Sequence, residues 1–301
     1  MTVLSLHRYP VKSMLGESVE RSTVTARGLL GDRAFAIYDE ESGTVASAKV
    51  PRLWAGLLEF SARFAADPEP GRPLPEVEIR FPDGSMLRSD DEGVDTALSA
   101  ALGRTVRLIA EPPEGSQFEE VWPEFDGLPV DQLAPEGLIE GTTARREDSG
   151  ERVSRFDVSA FGAPGTFFDL STLHVLTEST LDRLRELAPD ADFDPRRYRP
   201  NVLLDGTAPG FVENDWPGSE ARIGAVDLRY SFATMRCVMT TLAQGPKASG
   251  VPEDRNTLRT VAKHNRIEIP QVGGVWACAG VYADVLADGE IAVGDEHTDP
   301  A

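Results

Sequence analysis

Residues 225–241, AVDLRYSFATMRCVMTT, decide the fold. Val226, Leu228, Tyr230 and Phe232 alternate with Asp227, Arg229 and Ser231, a period of two that gives an extended chain one apolar and one polar face. The spacing predicts a strand, and the strand delivers Arg236 and Cys237 at its end. The same signature recurs outward. TVLSLHRYPV (2–11) and SVERSTVTARGLLGDRAFAIYDEESGTVAS (18–47) read as strands, the latter with a hairpin turn at Gly43. VEIRFPDGSMLRS (77–89) repeats the pattern around Pro82-Asp83-Gly84. FFDLSTLHVLT (167–177), RPNVLLDG (199–206) and VWACAGVYADVL (275–286) are strand-like as well.

Helices are few. Val94, Ala97, Leu98, Ala101 and Leu102 fall at helical spacing behind Asp90, Asp91 and Glu92, with Gly103 as the stop. STLDRLRELAP (179–189) carries Leu181, Leu184 and Leu187 before Pro189, and a further helix is expected over about 253–263. ARFAADPEPGRPLPE (62–76) reads as a loop, and from Glu111 to Gly165 periodicity fades into Pro, Gly and acidic residues. The fold class is therefore mainly β with a few helices (α+β), in two parts.

Composition narrows function. The 301 residues carry 50 acidic against 30 basic side chains, a net charge of −20, which speaks against nucleic-acid or anionic-membrane binding. Any anionic ligand must then be held by a local cluster of bases. No apolar run approaches the ~18 residues a membrane helix needs, and MTVLSLHRYPVKS lacks the pattern of a secretory signal, so a cytoplasmic protein with no membrane partner is expected. Two cysteines, Cys237 and Cys278, build neither a disulfide framework nor an iron–sulfur site, and no dinucleotide or P-loop motif is present.

The two thiols differ. Cys278 lies in the small apolar run VWACAGV and reads as core. Cys237 follows Arg236, whose guanidinium is expected to favour the thiolate that binds a soft metal or attacks an electrophile, while Met235 and Met239 supply an apolar collar. The residues alone leave Cys237 open between ligand or nucleophile and core filler. DPRRYRPNVLL sets Arg196, Arg197 and Arg199 before a strand. For Arg196 and Arg197 a solvated loop answering the acidic surface is as good a reading as function, whereas Arg199-Pro200-Asn201 suits an anion with a heterocycle edge. Lys12, Ser13, Arg33 and Lys49 are individually weak signals, and Lys12 by itself reads as a surface lysine. Taken together, these bases and one thiol describe a cleft between two halves that grips an anion and presents sulfur.

YPVKS, GLLGDRAFAIYD, PRLW, FDLSTLHVLTESTLDRL, RYRPNVLL, FVENDWPG, IGAVDL, MRCVMTT and GEIAVGD, in that order, resemble the MOSC domain proteins, and among them the amidoxime-reducing branch with its N-terminal MOSC β-barrel domain. The resemblance implies an N-terminal β-barrel-like domain over 1–115, a variable linker or lid region over 116–165 and a C-terminal MOSC β-barrel domain over 166–297. It implies the molybdenum cofactor (Mo-molybdopterin), with Cys237 as metal ligand and catalytic residue. Lys12, Ser13, Arg33, Arg199, Asn201 and Arg236 are implied as cofactor contacts, with Lys49 where relatives carry an Arg or Gln pair, and Asp169, Ser171 and Thr172 on a stretch lining the same site. Gln244-Gly245-Pro246 replaces the usual Asp-Pro turn. The implied activity is reduction of a small N-hydroxylated substrate with electrons from a separate donor protein, a reductase or ferredoxin-like partner. The alternative is a cofactor carrier or sulfur-transfer module without turnover of its own.

Overall fold

The strand read from 225–232 runs Val226–Met235 and pairs antiparallel with Glu220–Ile223 on one side and the long strand Val275–Ala287 on the other. Val226, Leu228 and Tyr230 are buried as the alternation requires. Beyond Tyr230 the register against Val275–Ala287 shifts twice, before Ala233 and again before Met235, which re-aims the strand's end. The protein is seen here as a computed structural model describing residues 1–122, 143–145, 149–158, 163–206, 208–246 and 250–298.

The largest sheet has the order Glu220–Ile223, Val226–Met235, Val275–Ala287, Leu173–Thr177, Val202–Leu204, Val3–Arg8, Glu17–Val19, with Arg266–Glu268 also on Val275–Ala287. The helices Glu178–Leu187 and Asn256–His264 lay Leu181, Leu184, Leu258 and Val261 against Leu176, Ala277 and Ala279 of this sheet. Thr177 starts the first of them by accepting from Thr180 N at 3.2 Å. A second sheet joins Val106–Ile109, Ala36–Asp39, Thr44–Val45, Gln117–Trp122, Arg152–Asp157 and Thr143–Arg145. Its core, with Ile37, Val106, Val121 and Val153, also takes Val94 and Leu98 from the helix Val94–Leu102.

The two halves are sewn together. Val3–Arg8 pairs with Val202–Leu204, and Arg21–Thr25 pairs with Gly289–Ala292, so the opening residues are built into the sheets of the C-terminal half. Among the described residues the architecture is mostly strand with four α-helices, and none of the four sheets closes into a barrel. One loop reading is corrected. Ser61–Phe64 is a strand on Val77–Arg80, with Ala62 and Phe64 buried; the prolines that follow hid its four residues. Within the span read as fading, Gln117–Trp122 and Arg152–Asp157 are six-residue antiparallel partners. Residues 123–142, 146–148 and 159–162 of the linker or lid reading fall outside the described residues. No described helix is long and apolar enough to cross a membrane.

Candidate functional site

Where the large sheet meets the second, a cavity of about 170 Å³ gathers side chains from both. Six cations line it, Lys12, Arg33, Lys49, Arg197, Arg199 and Arg236, against two carboxylates, Glu120 and Asp169, and Cys237 opens on the same space. In a chain of net charge −20, that is a local inversion of sign.

Three non-glycine residues among those described have positive φ, Ser13 (65°), Arg33 (47°) and Arg199 (52°), and all three line this cavity. Left-handed backbone at residues with a Cβ costs on the order of 1 kcal/mol or more each and persists where surrounding contacts enforce it. Those contacts are visible. Ser13 Oγ accepts from Ala48 N at 3.0 Å. Asp32, fully buried, accepts from Tyr9 N at 2.6 Å, from Asn201 Nδ2 at 2.8 Å and from Arg33 Nη1. Asn201 Oδ1 accepts from His174 N at 3.1 Å, and its amide also reaches His7 O at 3.2 Å. The Tyr9 ring lies under both guanidinium groups, Arg33 at 4.5 Å and Arg199 at 4.1 Å. Burial, and next the Arg33 charge, lower Arg199 to about 10, and its Nη1 is buried without a hydrogen-bond partner among the described residues.

Lysine and carboxylate alternate toward the thiol. Lys12 Nζ donates to Phe167 O at 3.0 Å and to Asp169 Oδ1; Lys49 Nζ reaches Asp169 Oδ2 at 3.2 Å and Glu120 Oε2 at 3.0 Å. Lys12 is 4% exposed, so the surface-lysine reading is corrected: its partners come from 155 and 157 residues away. Burial lowers its pKa, with Asp169 opposing. Burial also works against the charge on Lys49, but Asp169, Glu120 and Cys237 together hold its pKa well above the ordinary value. Asp169, although burial favours its neutral form, is kept well below the usual carboxylate range by the two lysines.

Cys237 is partly exposed, beside Ala48, Leu58 and Met239. Burial raises its thiol to about 11, and the cation that chiefly opposes this is Lys49. The expected neighbour, Arg236, turns away. Its Nε donates to Ala279 O at 2.8 Å, Nη1 to Tyr198 O at 2.9 Å and Nη2 to His174 Nε2 and Ala279 O. Adjacent residues at a strand's end point to opposite sides, so sequence adjacency put the guanidinium on the wrong side of the sulfur. His174, whose pKa burial and Arg236 lower well below its ordinary value, faces Arg199 O with Nδ1 at 3.3 Å. Gly280, at φ 82°, makes this packing possible, because a Cβ there would sit 2.5 Å from His174 Nε2. Among the described residues no histidine hydrogen-bonds Cys237, and the nucleophile reading lacks its base.

Of the residues marked in the sequence, Lys12, Ser13, Arg33, Lys49, Asp169, Ser171, Arg199, Asn201, Arg236 and Cys237 line the cavity. Thr172 does not; its carbonyl packs against Gly28. Cys278 is fully buried among Trp122, Ala233, Ile269 and Trp276, as expected of core. Arg196 is exposed and paired with Asp194, whereas Arg197 is 1% exposed and binds Thr240 O, Leu242 O and Pro252 O. Sequence reading missed Phe118, Glu120, Trp122 and Phe156 on the cavity wall. The signal was present as Phe118, Glu120 and Trp122 at two-residue spacing, obscured by acidic and proline-rich flanks.

Compared with known proteins, residues 164–298 match the MOSC domain and residues 1–65 the MOSC N-terminal beta barrel domain. The chain is 25% identical to mitochondrial amidoxime-reducing component 1 of Xenopus laevis over 95% of its own length and 78% of that protein's. It is 25% identical to mitochondrial amidoxime-reducing component 1 of Mus musculus over 98% and 81% of the two lengths. To molybdenum cofactor sulfurase of Oryza sativa subsp. japonica it is 23% identical over 86% of this chain and 30% of that one.

Proposed function

Because the chain belongs to the MOSC domain family and carries that family's N-terminal β-barrel domain, we propose that it binds a molybdenum cofactor and reduces N-hydroxylated small molecules in the cytoplasm, with electrons from a separate redox protein. The observation that carries the reading is the opening of Cys237 onto a cavity lined by Lys12, Arg33, Lys49 and Arg199 in a strongly acidic chain.

The residues suit the cofactor. A thiolate is a soft ligand for molybdenum, and a phosphate-bearing pterin is the kind of anion that a cationic cavity stabilises. Arg199 Nη1, a buried donor lacking an acceptor among the described residues, is what such a ligand would satisfy. Cys237 would ligate the metal, and Lys12, Ser13, Arg33, Lys49 and Arg199 would hold the anionic portion. Ser13 Oγ accepts from Ala48 N and keeps its own proton for donation. Asn201 and Arg236, whose donors already have protein acceptors, are positioning residues for the Arg199 turn. Asp169 keeps the two lysines charged and Ser171 completes the wall. When bound, the cofactor supplies two-electron redox chemistry. The protein confines it, orients it and shields the site from water.

The match to a sulfurase gives the carrier or sulfur-transfer reading some support, and one assay separates the two. Purified protein is supplied with benzamidoxime and a reduced viologen dye. The reductase reading expects benzamidine from the wild type and Cys278→Ala and none from Cys237→Ala. A protein that releases cofactor to an acceptor yet never turns over would instead be a carrier.

A further inference from the structure

An acidic side chain stands behind the anion grip. Asp32 is 2% exposed, and its two oxygens tie together three segments of chain that are far apart in sequence. Oδ1 accepts from Tyr9 N at 2.6 Å, while Oδ2 accepts from Asn201 Nδ2 at 2.8 Å and from Arg33 Nη1. The backbone repeats the tie, with Arg33 N donating to Tyr9 O at 2.8 Å and Asn201 N to His174 O at 2.8 Å. Tyr9 is the second support. Its ring lies 4.5 Å from Arg33 Cζ and 4.1 Å from Arg199 Cζ, and its hydroxyl donates at 3.2 Å to the carbonyl of Pro200, the residue between Arg199 and Asn201. Neither Tyr9 nor Asp32 lines the cavity.

By charge alone Asp32 is misplaced. A carboxylate beside two guanidinium groups cancels part of the potential that draws an anion, so its removal should tighten anion binding. Its hydrogen bonds act in the opposite sense. Arg33 and Arg199 are like charges close enough for the first to lower the pKa of the second, and Asp32 opposes that effect. Asp32 holds Arg33 directly and the Arg199 turn through Asn201, whose Oδ1 in turn accepts from His174 N at 3.1 Å. Both arginines are thereby kept in left-handed backbone, with Arg199 Nη1 left for a ligand. Donors already fixed bind an anion more tightly than mobile ones, because less ordering remains to be done on binding. An amide at position 32 cannot replace the carboxylate. Whichever way it is turned, its NH2 meets a donor, either Tyr9 N or the Arg33 and Asn201 nitrogens.

We propose that Asp32 and the Tyr9 ring are positioning residues for anion binding: Asp32 strengthens it in spite of its charge, by holding Arg33 and the Arg199-Pro200-Asn201 turn together over one shared ring. The inference rests on the anion-gripping part of the cofactor reading and adds to it two residues outside the cavity wall.

The test is calorimetric titration with inorganic phosphate at neutral pH and low salt. It uses the full-length protein made in cells unable to synthesise the pterin, with the melting temperature taken on the same samples. Wild type binds phosphate, and Asp32→Asn binds it about tenfold more weakly, a difference of about 1.4 kcal/mol, where loss of a negative charge by itself would tighten binding. A brace that served stability alone would move the melting temperature and leave no such reversal of sign. Tyr9→Leu weakens binding about fivefold, whereas Tyr9→Phe, which keeps the ring and loses only the hydroxyl, stays within about twofold of wild type. Asp32→Asn binding phosphate as tightly as wild type, or more tightly, overturns the proposal. If that variant does not fold, Tyr9→Leu decides, and wild-type affinity there overturns it. Wild type that binds no phosphate at millimolar concentration overturns it without any variant. Molybdenum content of wild type made in cofactor-competent cells is a separate readout: metal-free protein counts against the cofactor reading, whereas loaded protein whose Asp32→Asn variant grips phosphate undiminished counts against Asp32 alone.

Discussion

Arg197 and Arg196 are neighbours in sequence with opposite prospects on mutation. Replacing Arg197 by Met keeps much of the buried stem and removes the guanidinium, which donates to Pro252 O at 2.7 Å, to Asp192 Oδ2 at 2.9 Å and to Thr240 O and Leu242 O at 3.3 Å each. Asp192 is more than a third exposed, so its share is screened by solvent. The carbonyls are the larger loss, because the Arg197 side chain is buried and Thr240 and Leu242 belong to the turn that follows Cys237, although Thr240 O keeps a donor in Thr257 Oγ1 at 2.9 Å. Two long bonds and one short one to a buried cation, with the screened ion pair, come to about 3 kcal/mol. In a chain of this length that lowers the melting temperature by ~5 °C. Thermal unfolding followed by circular dichroism measures it. Arg196→Ala, which removes an exposed pair with Asp194, lowers it by less than ~1 °C. A melting temperature for Arg197→Met within 1 °C of wild type would refute the assignment of Arg197 as the brace of the Cys237 turn.

Other outcomes follow from the charges around the site. In cofactor-free protein, alkylation of Cys237 by iodoacetamide is slow at pH 8 and rises toward pH 11, since the thiol sits at about 11; Lys49→Met slows it further, because the chief opposing cation is gone and Glu120 and Asp169 remain. An equal or faster rate in the variant would contradict Lys49 as that cation. Cys278, fully buried, stays unmodified until the protein unfolds. His174 is neutral in the folded state with a depressed pKa, so the unfolded chain binds the extra proton: stability is complete above pH 6.5 and falls as pH drops below it, by up to about 1.4 kcal/mol per unit. His174→Gln keeps an acceptor for Arg236 and flattens that slope by about one proton between pH 6.5 and 4.5; urea unfolding at several pH values reads it, and an unchanged slope would count against a buried neutral His174.

What sequence reading recovers here is what local pattern determines. Val226, Leu228 and Tyr230 alternate because one face of their strand is core, and the helix Val94–Leu102 follows acids at its start and ends at Gly103. Cys278 in its apolar run was legible for the same reason. Lys12 was not, because a lysine is buried only when distant partners take its proton donors, and Asp169 and Phe167 are far away in the chain. Nor was the direction of Arg236, which depends on Ala279 and Tyr198 offering carbonyls on the side away from the thiol. The same holds for Val3–Arg8, whose partner strand Val202–Leu204 lies some two hundred residues on, and for Phe118–Glu120–Trp122, whose alternation gains meaning only beside Phe156 and Trp276. The gathering of Lys12, Arg33, Arg199 and Cys237 into one cleft was expected from the sequence; Tyr9 and Asp32, which hold the arginines there, were not singled out.

The most direct measurement is molybdenum per polypeptide, by inductively coupled plasma mass spectrometry with pterin fluorescence, in wild type, Cys237→Ala and Cys278→Ala made in cells given ample molybdate. Metal and pterin in wild type and Cys278→Ala, with the metal lost from Cys237→Ala, is the predicted result. Wild-type protein devoid of molybdenum, or Cys237→Ala loaded as fully as wild type, would contradict it.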